Sequence, residues 1–222
     1  MLLRHFTNNL RTCGLLTAFL LLSACASDPS KPAADGADNR GQEMTGPNGQ
    51  PVAVRDVPPT ALTLYEQAVA SMASGDTIDA ELRFQEFLLQ YPDFPGAHVN
   101  LAIIFAARGD ETAAEGSLTD ALIIDPQYAP ALNQLGMQLR RQGKFVEAES
   151  AYLKAVTANP DYALAHYNLG ILNDLYFRRL DAALQHYERY QAIVGDDKEV
   201  TRWISDLKRR LDANQKSANV TE

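Results

Sequence analysis

Beyond residue 60 the apolar and polar positions repeat with a single period. Pro92, Pro126 and Pro160 are 34 residues apart, as are Gly75, Gly109 and Gly143, and Ala80, Ala114 and Ala148. Three residue types recurring in one phase mark a chain built from copies of one unit. Each copy carries two apolar runs at helical spacing, such as Leu132, Leu135 and Leu139 before Gly143, and Ala148, Tyr152 and Ala155 after it. The pattern predicts two helices per unit. The glycine ends the first helix, where a left-handed backbone is needed. The proline closes the second and sets the bend into the next unit. Small residues (Ala102, Gly136, Gly170, Ala80, Ala114, Ala148) let paired helices approach, and larger ones (Leu101, Phe105, Leu135, Leu139, Phe84, Leu118, Tyr152) fill the space between successive pairs.

The unit bearing Leu132, Leu135, Gly136, Leu139, Gly143, Ala148, Tyr152, Ala155 and Pro160 resembles the tetratricopeptide repeat, whose period is also 34. The resemblance implies an all-α fold: a right-handed superhelical solenoid of about four helix-turn-helix repeats. They fall at 61–94, 95–128 and 129–162, with an irregular fourth at 163–197 that opens on Ala165-His166-Tyr167-Asn168-Leu169-Gly170. A capping helix over 198–212 follows, with Val200, Trp203, Ile204, Leu207 and Leu211 at helical spacing, and then a disordered tail over 213–222. Two departures from the pattern carry expectations of their own. Gln67 and Ser71 stand where apolar residues are usual, which makes the first helix a loosely packed end. Phe177-Arg178-Arg179 replaces the glycine turn of the fourth repeat, so either Ala182 or Ala183 takes its close-packing position.

Ahead of the array, residues 1–24 read as an export signal. Arg4 and Arg11 precede an apolar run, Gly14 to Leu22, that is too short to span a membrane. Leu22-Ser23-Ala24-Cys25 resembles the lipobox of bacterial lipoproteins. That resemblance implies cleavage after Ala24, a diacylglycerol on the Cys25 sulfur and an acylated new amino terminus. Ala26 stands where an Asp would imply inner-membrane retention, so the expected location is the outer membrane, facing the periplasm. Cys13 does not compete, because Arg11 holds a place that requires a small residue. With Cys25 lipidated, no disulfide is left to form. Residues 25–60 carry six prolines and four glycines among Asp and Asn, and read as a flexible tether with a reach of roughly 30–35 Å.

Composition narrows the partners. The 222 residues are 46% apolar and 22% charged, with 28 acidic against 20 basic side chains and a net charge of −8. Loss of the signal removes Arg4 and Arg11 and no acid, which deepens the charge to −10. That balance argues against nucleic acid, whose phosphates are held by Lys and Arg. Membrane contact is expected through the lipid anchor only, and nothing in the sequence fixes an oligomeric state.

The tetratricopeptide resemblance further implies a concave face, lined by first helices, that holds a peptide or helix of a partner protein. Carried over position by position, its candidates are Tyr65, Val69, Met72 and Ala73, then Val99, Ile103, Ala106 and Ala107. The third repeat contributes Asn133, Met137, Arg140 and Arg141, and the fourth Tyr167, Ile171, Asp174 and Leu175. The one basic step, Arg140-Arg141, suits an acid on the partner, since guanidinium binds carboxylate bidentately. Asn100 and Asn168 stand where chaperone-binding relatives place asparagines, but the full carboxylate clamp of those relatives is not reproduced.

No nucleophile elbow, phosphate loop or metal-ligand spacing appears. His98 and His166 share one repeat position, which points to packing rather than ligation. No cofactor, metal or catalytic residue is expected. The function these observations suggest is a non-catalytic, membrane-tethered periplasmic scaffold or adaptor in cell-envelope complex assembly. The alternative is an accessory subunit of a type IV pilus, a peptidoglycan hydrolase system or an energy-transducing complex.

Overall fold

A computed structural model describes residues 58–220. The signal segment, Cys25 and all but the last three residues of the expected 25–60 tether lie outside the described residues. Helices come in pairs: α1 (Pro59–Ala73) with α2 (Thr77–Gln90), α3 (Pro95–Ala107) with α4 (Glu111–Ile124), and α5 (Ala129–Arg141) with α6 (Phe145–Ala158). The fourth pair is α7 (Ala163–Ile171), continued by a π-helical turn (Leu172–Phe177), with α8 (Leu180–Val194); α9 (Lys198–Val220) follows alone. No strand occurs among the described residues, and none of their helices is long and apolar enough to cross a membrane.

Local chemistry explains these boundaries. Gly75, Gly109 and Gly143 turn each hairpin at φ of 85°, 81° and 75°, a backbone that a side chain disfavours. Asp76 and Asp110 come next and cap α2 and α4, each accepting a hydrogen bond at 3.0 Å, from the Asp79 and Ala113 N–H groups. Pro59, Pro95 and Pro130 sit in the first turn of α1, α3 and α5, where a missing N–H leaves no helix bond unmade. The first helix thus starts at Pro59, inside the stretch expected to be tether.

Within each pair a small residue meets a large one. Ala80, Ala114 and Ala148 are fully buried or nearly so. The Tyr152 ring lies flat on Gly136 and the Tyr187 ring on Gly170. The first repeat is better anchored than Gln67 and Ser71 suggest. Tyr65 touches Phe84, Phe87 and Phe94 at centroid distances of 5.7, 5.6 and 5.0 Å. Ser71 Oγ and Arg83 Nε both donate to Asp79 Oδ2, and Arg83 Nη1 donates to Gln67 Oε1, so the polar pair is tied to α2 instead of left loose.

The fourth repeat contains one extra residue, and the π-helical turn absorbs it, because each π-helical bond spans one residue more than an α-helical one. After the insertion every position shifts by one. Ala183 takes the close-packed place with no exposed surface, Tyr187 matches Tyr152, and the left-handed turn falls on Arg178 at φ 55°. Arg178 is the one non-glycine residue with positive φ among the described residues. Arg178→Gly is therefore expected to raise stability by about 1 kcal/mol, measurable as a higher urea midpoint.

The last helix also departs from expectation. It runs unbroken to Val220 and does not end at residue 212, so most of the expected tail is helical; Thr221 and Glu222 lie outside the described residues. Val200, Ile204 and Leu207 are buried beneath Trp203 against Tyr167, Ile171 and Tyr187. The α9 helix thereby fills the place a fifth first helix would take.

Candidate partner-binding groove

The first helices line the inside of the curve. The α5 helix packs on both α3 and α7, whereas no two consecutive second helices touch comparably. Close spacing on one side and splaying on the other bends the array toward the first helices. Four candidate rows project from that side, and the structure separates them.

The row of Tyr65, Val99, Asn133 and Tyr167 is a seam between repeats. Val99 and Asn133 are corrections: both are buried, with 5% and 0% of their surface exposed, and cannot present themselves to a partner. Asn133 Oδ1 accepts from Asn168 Nδ2 at 2.9 Å, and Tyr65 Oη accepts from Asn100 Nδ2 at the same distance. Both bonds join residues 35 apart, from one first helix to the next. The two asparagines that resemble clamp residues are thus occupied in stitching the solenoid. Tyr65 and Tyr167 are half-buried among aromatic rings, the latter 5.8 Å from Trp203.

One turn further on, Val69 stays exposed, while Ile103, Met137 and Ile171 are half-buried against the clusters behind them and leave the rest of their surface outward. At the ends of the helices, Arg140 and Arg141 diverge, since neighbours on a helix point about 100° apart. Arg141 is exposed and reaches back to Glu111 at 3.6 Å. Asp174 is also accounted for: its carboxylate, mostly buried, accepts from Arg210 Nη1 of α9 at 2.8 Å and so anchors the cap.

Arg140 is left as the reactive feature. It is half-buried, makes no ion pair among the described residues, and its Nε has no hydrogen-bond partner. The phenols of Tyr152 and Tyr176 stand beside it, and the fully buried Tyr152 Oη likewise lacks a partner in good geometry. Burial works to lower the Arg140 pKa, but the two phenols outweigh it and the net shift is upward, so the cation is retained. Burial raises the Tyr152 pKa more than Arg140 lowers it, so that phenol keeps its proton. A half-buried cation without a counter-ion can take up one oxyanion and donate hydrogen bonds to it. Tyr176 was not legible as part of this site because it sits on the inserted turn, outside the repeat pattern.

A sequence profile of the tetratricopeptide repeat matches residues 59–129 and 133–198. The chain belongs to the tetratricopeptide repeat family. Repeats of this family serve as protein-interaction scaffolds. Among solved structures, PilF of Pseudomonas aeruginosa is 22% identical, with a TM-score of 0.61 over 69% of each chain. The thermophilic tetratricopeptide protein TTC0263 of Thermus thermophilus is also 22% identical, with a TM-score of 0.58 over 68% of this chain and 82% of that one. The MamA protein is 21% identical, with a TM-score of 0.53 over 72% and 87%. At these identities the likeness is one of fold. A comparison with curated proteins finds no match.

The tetratricopeptide frame also accounts for the histidines. His98 and His166 each face the carbonyl of the repeat's proline, from Nε2 to Pro92 and Pro160 O at 3.1 Å. A carbonyl only accepts, so His166 carries its proton on Nε2 and offers a bare Nδ1 to His186 Nδ1–H at 3.2 Å. The ring centroids are 5.4 Å apart, which aims the two nitrogens head-on at one another, as in a hydrogen bond and not around a shared ion. Burial, followed by the neighbouring ring, lowers the His186 pKa to about 4, and burial lowers that of His166. The unfolded chain therefore binds the extra protons between pH about 6.5 and 4, so stability is complete above that window and is lost as pH falls through it. A loss of about 1–2 kcal/mol between pH 7 and 4.5 is expected in urea titrations, after allowing for partial solvent screening. His186→Gln should flatten the profile, and an unchanged slope would show that the pair does not set it.

Proposed function

We propose that this protein is a non-catalytic adaptor that holds an acid-bearing segment of a partner protein on its concave face, with Arg140 as the anchor. The observation that carries the reading is the half-buried Arg140 guanidinium with no counter-ion among the described residues. A carboxylate there would pair with the outward part of the Arg140 guanidinium, and the apolar surface of Val69, Ile103, Met137 and Ile171 would receive the hydrophobic side of the same segment. In this reading Cys25 is lipidated, residues 1–24 are removed, and the array is tethered to the outer membrane facing the periplasm, where it takes part in assembling an envelope complex. The Leu22-Ser23-Ala24-Cys25 sequence supports the anchor.

The two arginines are best tested singly, because Arg141 already has Glu111. In crosslinked cells, Arg140→Glu is expected to lower partner recovery at least tenfold, as loss of a buried charge pair does, and Arg141→Glu to lower it far less. Equal recovery from wild type and both variants would reject the groove. Cys25→Ala is expected to move the protein from the membrane to the soluble fraction, and retention in the membrane would reject the anchor.

A further inference from the structure

A second basic feature lies away from the groove, where the inserted turn meets α9. Arg178 occupies the left-handed turn position that glycine holds in the first three repeats. A side chain there is strained, and nothing in the fold calls for one: the backbone N–H of Arg178 donates to the Asn173 carbonyl, but its side chain is exposed and makes no ion pair or hydrogen bond among the described residues. Above it passes the part of α9 that continues beyond the cap. Arg210, Ala213 and Asn214 fall on one face of that helix, three and four residues apart. Together with Leu180 they enclose an open cavity of about 350 Å³ over Arg178. The Arg210 side chain is held in place through Nη1 by Asp174 at 2.8 Å and Asp206 at 3.7 Å, which leaves its Nε and Nη2 without a protein partner among the described residues.

We propose that this corner is a second binding site, for the carboxylate of a glutamate on a partner protein. Two guanidinium groups and the Asn214 amide supply the donors, and Leu180 and Ala213 form an apolar floor for the methylene groups. Residues 212–217 are exposed throughout, so a segment can approach along the overhanging helix. The site explains why an arginine is kept where glycine would relieve the backbone: strain of this kind persists where function holds it. The same logic fits the π-helical insertion, which brings Arg178 into the turn.

The test is the affinity of the full chain for a fluorescein-labelled hexaglutamate peptide, read by anisotropy at low salt. Arg178→Gly is expected to weaken binding about fivefold, the loss of one partly exposed charge contact, while stability rises. Asn214→Ala should weaken it to a smaller degree. Arg202→Gln removes an equal charge elsewhere on α9 and is expected to leave binding unchanged. Arg140→Gln is likewise expected to leave the Arg178-dependent part intact, so failure of the groove reading and failure of this one are separable. Unchanged binding in Arg178→Gly, or an equal loss in Arg202→Gln, would overturn the site. Binding to phosphatidylglycerol vesicles that depends on Arg178, with no peptide binding, would overturn the protein partner in favour of a lipid phosphate.

Discussion

Gly136→Ala is expected to destabilise the protein by about 1–3 kcal/mol, the range for forcing atoms into a packed interior. A Cβ at this position would lie 2.5 Å from Tyr152 Cε1 and 2.6 Å from Cδ1, well inside contact distance. The ring has nowhere to retreat, because Tyr152 is fully buried between α5, α6 and the fourth repeat. Gly170→Ala should behave alike, since its Cβ would clash with the Tyr187 ring in the same way. Gly116 provides the contrast. It lies on the exposed side of α4 with no atom within 4 Å of an added Cβ, so Gly116→Ala is expected to stabilise by up to about 1 kcal/mol through helix propensity alone. Urea unfolding of the three variants separates the two effects. Combining Gly136→Ala with Tyr152→Leu should recover part of the loss, because a smaller side chain frees the space; no recovery would mean that the glycine acts through the backbone and not through the ring.

That close approach was readable in the sequence, because Gly136, Gly170 and the three alanines obey the same period as the turns they accompany. The repeat geometry forces small residues at those places, so identity and position speak together. The functional face was harder to read. Positions 65, 99, 133 and 167 alternate Tyr, Val, Asn and Tyr, and burial is decided there by the neighbouring repeat, which a single repeat's pattern does not contain. Asn133 looks like a surface residue until Asn168, 35 positions on, is placed against it. Arg140 and Arg141 are alike in sequence; only the positions of Glu111 and Tyr152 on adjoining helices make one paired and the other not. In the fourth repeat a single inserted residue moved the turn from the place of a glycine to Arg178, and neither Ala182 nor Ala183 betrays this on its own.

Leu207→Ala is expected to lower stability by about 2–4 kcal/mol, as for a fully buried leucine whose site does not collapse. Leu207 lies under α9, where the last repeat would otherwise end on the bare rings of Tyr167 and Tyr187. In a solenoid each unit draws its stability from its neighbours, so the cap supplies the final interface term, and removing it weakens α7 and α8 first. Hydrogen exchange should then speed up in residues 163–194 before it does in the first two repeats. A stop codon after Leu211 provides the opposite case. Residues 212–217 are exposed throughout, so their loss should change the urea midpoint by less than about 0.5 kcal/mol. It nevertheless removes Ala213 and Asn214 from the cavity over Arg178. Stability and glutamate binding are thereby separated along a single helix: the half bearing Leu207 holds the fold, and the overhang serves the ligand. A shortened chain that loses stability as Leu207→Ala does would instead assign the overhang to the fold.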